Sequence, residues 1–203
     1  MTGAVERLRE LPAVFTLAAL CKFTGLSRKA AAVYLSRWKA RGLVEPAGER
    51  VGIYFNKLKR SEIESPDRIG ALLFEYPTAI LCGESVLHAA GWITQIPARH
   101  SVAVLARPSY VSLHGFEIHG RSRSWFRKIH AAVSGNEKIY GLRALPPALA
   151  LADLYADPRA WHPDADDLDI PEKETAAVLA ASELLRVKLP VAVASAHRAS
   201  ARS

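Results

Sequence analysis

Only two cysteines occur in the 203 residues, Cys21 and Cys82. Each ends an apolar run, Ala18-Ala19-Leu20-Cys21 and Ala79-Ile80-Leu81-Cys82, so both read as buried thiols in a reducing compartment rather than as a disulfide framework. No apolar run approaches the ~20 residues that span a bilayer. Glu6, Arg7, Arg9 and Glu10 stand where a secretion leader would be uniformly apolar. The expected location is therefore the cytoplasm, with no membrane partner. The seven histidines lack metal-ligand spacing, and His114 and His119 fall on opposite faces of a regular strand pair with no cysteine partners. Asp164, Asp166, Asp167 and Asp169 lack the central glycine and distal glutamate of a calcium loop, and read as a solvated lead-in to the last helix. Gly91, Gly115 and Gly120 make no phosphate-cradling loop. Ser85 in Gly83-Glu84-Ser85 lacks the second glycine of a nucleophile elbow and reads as a helix start. Glu117 has no second acid and lysine after it to make a nuclease site. The expectation is a protein without metal, cofactor or catalytic residues.

What is present is positive charge, unevenly placed. From Met1 to Arg60 there are twelve Lys/Arg against four acids, a net of +8; from Ser61 onward there are fifteen against sixteen, a net of −1. The sequence pI of about 9.6 lies in the range of nucleic-acid binders. Half the residues are hydrophobic and 23% are charged, enough to bury a real core in one large domain or two small ones. A basic segment joined to a near-neutral one suggests two jobs, one of them on a polyanion.

The basic segment reads as a winged helix-turn-helix, residues 1–60. A first helix spans Val5 to Leu11 and stops before Pro12. Thr16 caps a second, Leu17 to Phe23, which Gly25 ends. Ser27 caps a third, which runs to about Arg41 and is closed by Gly42. In that helix Ala31, Leu35 and Trp38 recur at i, i+4 and i+7 as a buried stripe. Turning 100° per residue from it places Lys29, Ala32, Val33, Ser36 and Arg37 on the far side, with Arg28 on the flank. A bulky buried face opposite a small, basic and polar one suits a recognition helix in a major groove. Leu43-Val44-Glu45, a turn at Pro46 to Arg50, and Val51 to Phe55 then form the wing. Arg50 at its tip is placed for a phosphate or the minor groove. The candidate DNA-binding set is Ser27, Arg28, Lys29, Val33, Ser36, Arg37 and Arg50.

Residues 57–66 read as a polar connection, and a helix from about Arg68 to Tyr76 as a link to a second, mixed α+β domain, residues 66–190. Its expected elements are a strand at Thr78–Cys82, a helix at Glu84–Ala90, and strands at Ser101–Leu105, Tyr110–Leu113 and Phe116–His119. Ser124-Trp125-Phe126 reads as a further strand. Pro147 opens a helix over Ala148–Tyr155, and a last helix runs from Glu172 to Val187. Residues 195–203 read as a frayed tail. The fold class is α+β without internal repeats. In Arg121-Ser122-Arg123-Ser124-Trp125-Phe126-Arg127-Lys128, the alternation would put guanidiniums on one strand face. Arg121, Arg123, Arg127 and Lys128 are thus a candidate second nucleic-acid or partner surface, with a solvated face over core aromatics as the alternative.

The run Gly83-Glu84-Ser85-Val86-Leu87-His88-Ala89-Ala90-Gly91-Trp92-Ile93-Thr94-Gln95-Ile96-Pro97 resembles the helix and turn that precede the strands in the AbiEi antitoxin family. Pro147-Ala148-Leu149-Ala150-Leu151-Ala152-Asp153-Leu154 resembles that family's Ala-Leu-Ala-Asp helix. The resemblance covers about residues 10–185. It implies an antitoxin whose winged helix binds the operator of its own operon as duplex DNA. It also implies a second domain that counters a nucleotidyltransferase-type toxin. The arginine cluster, Arg121, Arg123 and Arg127, is the candidate surface to meet an acidic toxin site. The resemblance leaves room for cooperative binding or a homodimer on DNA, and names no catalytic residue. Two other classes fit the same layout. One is a nuclease-like enzyme targeted by the winged helix; the other is a plain regulator with an effector pocket in the second domain.

Overall fold

The computed structural model describes residues 3–105, 112–135, 138–157, 161–190 and 193. The fold is α+β, built as two compact units. The first takes in the chain to Pro77 and a later segment ending at His114; the second takes in the remainder.

The first unit runs α1 (Ala4–Glu10), β1 (Val14–Thr16), α2 (Leu17–Thr24), α3 (Arg28–Ala40), β2 (Val44–Pro46), β3 (Gly48–Glu49), β4 (Ile53–Asn56) and α4 (Ser65–Glu75). Local chemistry sets the helix limits. The Thr16 hydroxyl accepts from the Ala19 amide at 3.1 Å, and the Ser27 hydroxyl from the Ala30 amide at 3.3 Å, so both helices start at side-chain caps. Gly25 ends α2 at φ 65°, a left-handed conformation that costs glycine little. Leu8, Leu11, Phe15, Leu20, Ala31, Leu35, Trp38 and Val44 form one buried cluster.

Strand β1 is an element that the sequence reading missed. It pairs antiparallel with β4, Val14 against Phe55 and Thr16 against Ile53, and β4 pairs in turn with β2. Three residues between a proline and a helix cap are too few to show alternation. The stretch 46–50, expected as a turn, contains β3, and β3 pairs with a later strand, β7 (Ser112–Leu113). The Ala47 carbonyl also accepts from the His114 amide at 3.0 Å. Gly48 makes the pairing feasible, because a Cβ there would lie 1.8 Å from the Ser112 carbonyl oxygen. Residues 110–111 of the strand expected at Tyr110–Leu113 lie outside the described residues.

Residues 57–66 are not a free linker either. Arg60 pairs with the nearly buried Asp67 at 2.6 Å, and Glu45 faces Lys57 at 3.9 Å and Arg68 at 3.8 Å. Ala71 and Leu72 are buried. These contacts hold α4 in the first unit, so the compact boundary falls at Pro77 rather than near residue 60. Counted by unit, thirteen Lys/Arg face eight acids in the first and fourteen face twelve in the second. The charge split is therefore +5 against +2, gentler than the cut at residue 60 implied. Asn56 is buried and fully partnered: its Nδ2 donates to the Leu8 and Leu11 carbonyls at 2.8 and 3.2 Å, and its Oδ1 accepts from the Leu58 amide.

The second unit holds β5 (Ile80–Leu81), α5 (Gly83–Ala89), β6 (His100–Val104), β8 (Phe116–Gly120), α6 (Arg123–Ser134), the hairpin β9 (Lys138–Ile139) and β10 (Leu142–Arg143), α7 (Pro147–Ala156) and α8 (Thr175–Leu185). Strand β6 is central, antiparallel to β5 and parallel to β8. Residues 148–153 of α7 are all buried, so this helix lies at the heart of the unit. Ser85 is a structural residue here: its hydroxyl accepts from the Ser101 amide at 2.8 Å and ties α5 to β6. The last helix is shorter than expected. A 3-10 turn occupies Glu172–Glu174, and Arg186 turns left-handed at φ 60°.

Ser124, Trp125 and Phe126 are not a strand. They lie in α6, capped by Ser122, whose hydroxyl accepts from the Trp125 amide at 3.2 Å. The apolar positions Trp125, Ile129 and Val133 recur every four residues, a helical period visible only when the window runs past Lys128. The tail 195–203 lies outside the described residues. Among the described residues no helix is long and apolar enough to cross a membrane.

Candidate nucleic-acid interface

Helix α3 buries Ala31, Leu35 and Trp38. Its rotation is fixed by that stripe, since each residue advances about 100°. Arg28, Lys29, Ala32, Val33, Ser36 and Arg37 are all exposed. Six of the seven predicted residues thus belong to α3 or its cap, while Arg50 stands apart in the loop between β3 and β4. Arg50 is exposed, with a left-handed backbone at φ 58°. Ser27 is exposed too, but its hydroxyl oxygen is already engaged as the cap. No ion pair among the described residues includes Arg28, Lys29 or Arg37. No acid lies on α3. Such a face can offer donors to phosphates and base edges without first breaking internal bonds.

Phe23, at the end of α2, is 60% exposed and was not singled out from the sequence. Its signal was an aromatic two residues before the Gly25 stop, which reads equally well as core. Behind α3, Arg7 stacks its guanidinium 5.6 Å from the Tyr34 ring centroid.

The second candidate surface divides. Arg121 precedes α6 and is not a surface cation. Its Nη2 donates to Asp153 at 2.9 Å and its Nε lies 3.3 Å from both carboxylate oxygens. Trp125 Nε1 donates to the same carboxylate at 2.7 Å. Burial opposes the Arg121 charge, but hydrogen bonding and attraction to Asp153 outweigh it and push its pKa up. Arg123 and Arg127 are exposed and share a helix face at i and i+4, with Lys128 exposed beside them. The surface that the sequence assigned to a strand is therefore a helix face that excludes Arg121. Asp153 was missed as its partner; a lone carboxylate in the apolar run 147–154 was the available signal.

Near this pair, burial drives the Cys82 thiol far up, with Asp153 adding to the effect. It is an inert, protonated thiol. Glu117 faces His119 at 3.8 Å. Burial, then the charge of Glu117, raises Glu84, and burial lowers His119. Among the described residues no group of three His, Cys, Asp or Glu side chains is arranged to hold a metal ion.

No protein-family model and no curated protein matches the sequence. Among solved structures, the fold is similar to the crystal structure of the RV2827C protein from Mycobacterium tuberculosis, with a TM-score of 0.56. The two are 16% identical, and the match covers 94% of this chain and 71% of that one. At that identity the likeness speaks to the fold alone.

Proposed function

We propose that the first unit is a winged helix-turn-helix that binds duplex DNA through the outward face of α3. The observation that carries this reading is one helix with a buried Ala31/Leu35/Trp38 stripe and an acid-free exposed face bearing Lys29, Val33, Ser36 and Arg37. The order of three helices with a three-stranded antiparallel sheet supports it, as does the +5 balance of the unit. The resemblance of residues 83–97 and 147–154 to AbiEi antitoxins supplies the biological role. On that reading the chain is a cytoplasmic repressor of its own operon that neutralises a nucleotidyltransferase-type toxin. Exposed Arg123, Arg127 and Lys128 on α6 are its surface for the toxin.

The test is a titration of the full chain against duplex DNA at rising salt. Each phosphate contact contributes about −0.9 to the slope of log affinity against log salt. Lys29→Ala with Arg37→Ala is expected to abolish binding while leaving the melting curve unchanged. A salt-independent titration, or full binding by the double variant, overturns the DNA reading. Co-expression with the product of the adjacent gene tests the toxin half separately, since rescue of growth by the full chain is required of an antitoxin.

A further inference from the structure

On the exposed face of α3 one side chain does not fit a purely phosphate-directed surface. Val33 is 47% exposed. Taking Ala31, Leu35 and Trp38 as the buried direction, Val33 lies roughly 190° around the helix, almost diametrically opposite. It therefore occupies the centre line of the outward face, where a groove-reading helix comes nearest the base edges. Lys29 stands one turn before it and Ser36 and Arg37 one turn after. Exposed Ala32 beside it adds no bulk. Valine also gains little for the helix here, because its branched Cβ restricts χ1 and nearly half of its surface stays exposed.

We infer that Val33 is a specificity-determining residue that reads the C5-methyl of a thymine in the major groove. The inference rests on the DNA reading above and adds to it a base and a chemical group. A branched apolar side chain cannot donate to a phosphate or to a purine edge. The one apolar feature that the major groove displays is the thymine methyl. From Lys29 to Arg37 the helix advances about 12 Å, which spans three to four base pairs at about 3.4 Å each. The thymine accordingly lies between polar contacts made from both ends of the helix, within the same short recognition stretch.

The experiment begins with the full chain and a pool of random duplex DNA, from which the bound fraction is enriched and sequenced. Each thymine of the enriched site is then replaced by uracil, which removes the methyl and leaves every hydrogen-bonding group in place. One thymine per bound copy is expected to be sensitive, with binding weakened roughly four-fold, the loss that burial of one methyl-sized group represents. The same replacement is expected to have a clearly smaller effect on Val33→Ala, which loses both γ-methyls and keeps only Cβ. It should retain its effect on Val33→Thr, which keeps a methyl at the same branch. Val33 is exposed, so Val33→Ala should melt as the parent does, and the melting curve checks this. An enriched site that no uracil weakens overturns the inference while leaving DNA binding intact. So does a uracil effect of equal size in Val33→Ala. No enrichment at all overturns the DNA reading and this one with it.

Discussion

Asp153→Ala is expected to be strongly destabilising to the second unit. The carboxylate is almost wholly buried and accepts from Arg121 Nη2 at 2.9 Å and Trp125 Nε1 at 2.7 Å. Breaking a buried ion pair by removing one partner costs about 3–5 kcal/mol, because the remaining charge is left uncompensated. The Arg121 side chain keeps 18% of its surface exposed, so part of its charge rehydrates and the lower end of that range applies. Trp125 loses its acceptor as well, but it is only half-buried and water replaces that bond cheaply. The net expectation is about 3 kcal/mol. Urea unfolding followed by far-ultraviolet circular dichroism measures it: with m near 2 kcal/mol/M, the midpoint falls by about 1.5 M. The companion Arg121→Met/Asp153→Leu removes both charges and fills the space. It is expected within about 1 kcal/mol of the parent, since an apolar pair replaces a buried ion pair at little cost. A loss below about 1 kcal/mol for Asp153→Ala, or additive single changes with no coupling between Arg121 and Asp153, refutes the reasoning.

Three further outcomes are expected. Gly48→Ala forces a Cβ against the Ser112 carbonyl, so β7 should detach from β3. Faster hydrogen exchange at the His114 amide, which donates to Ala47, would report it, and unchanged protection would contradict the close approach. Trp38→Ala truncates a fully buried aromatic and should cost roughly 3–5 kcal/mol, whereas the Lys29→Ala/Arg37→Ala pair should leave the midpoint in place. Burial holds the His119 and His100 pKa values below the ordinary imidazole range. A depressed folded pKa contributes stability that is complete above the unfolded value, about 6.5, and lost as pH falls through the folded one. The second unit should therefore weaken on acidification below about 6.5, and His119→Gln should weaken less; equal slopes would show that His119 does not contribute.

The local chemistry of the chain was legible by itself. Thr16 and Ser27 cap helices because their hydroxyls reach amides three residues on. Gly25 stops one because it alone enters the left-handed region cheaply, and Pro147 opens another because it lacks only a donor that the first turn does not need. The outward face of α3 was legible for the same reason: once Ala31, Leu35 and Trp38 are buried, the helical period leaves Lys29, Val33, Ser36 and Arg37 outside. In α6 the local signal was present but misread, since alternating Arg and Ser imitate a strand over eight residues and only Ile129 and Val133 reveal the turn. What the tertiary structure alone decided are pairings between residues far apart in the chain. Arg121 meets Asp153 across 32 residues, which turns an apparent surface cation into an internal one. Asn56 closes the first unit on carbonyls 45 and 48 residues earlier. Gly48 accepts β7 from beyond the second unit's first strands, and α4 folds back onto the unit it follows. Sequence spacing carries a helical or strand period because neighbouring residues share one backbone geometry. It carries no record of which distant carboxylate or strand edge the folded chain will bring alongside.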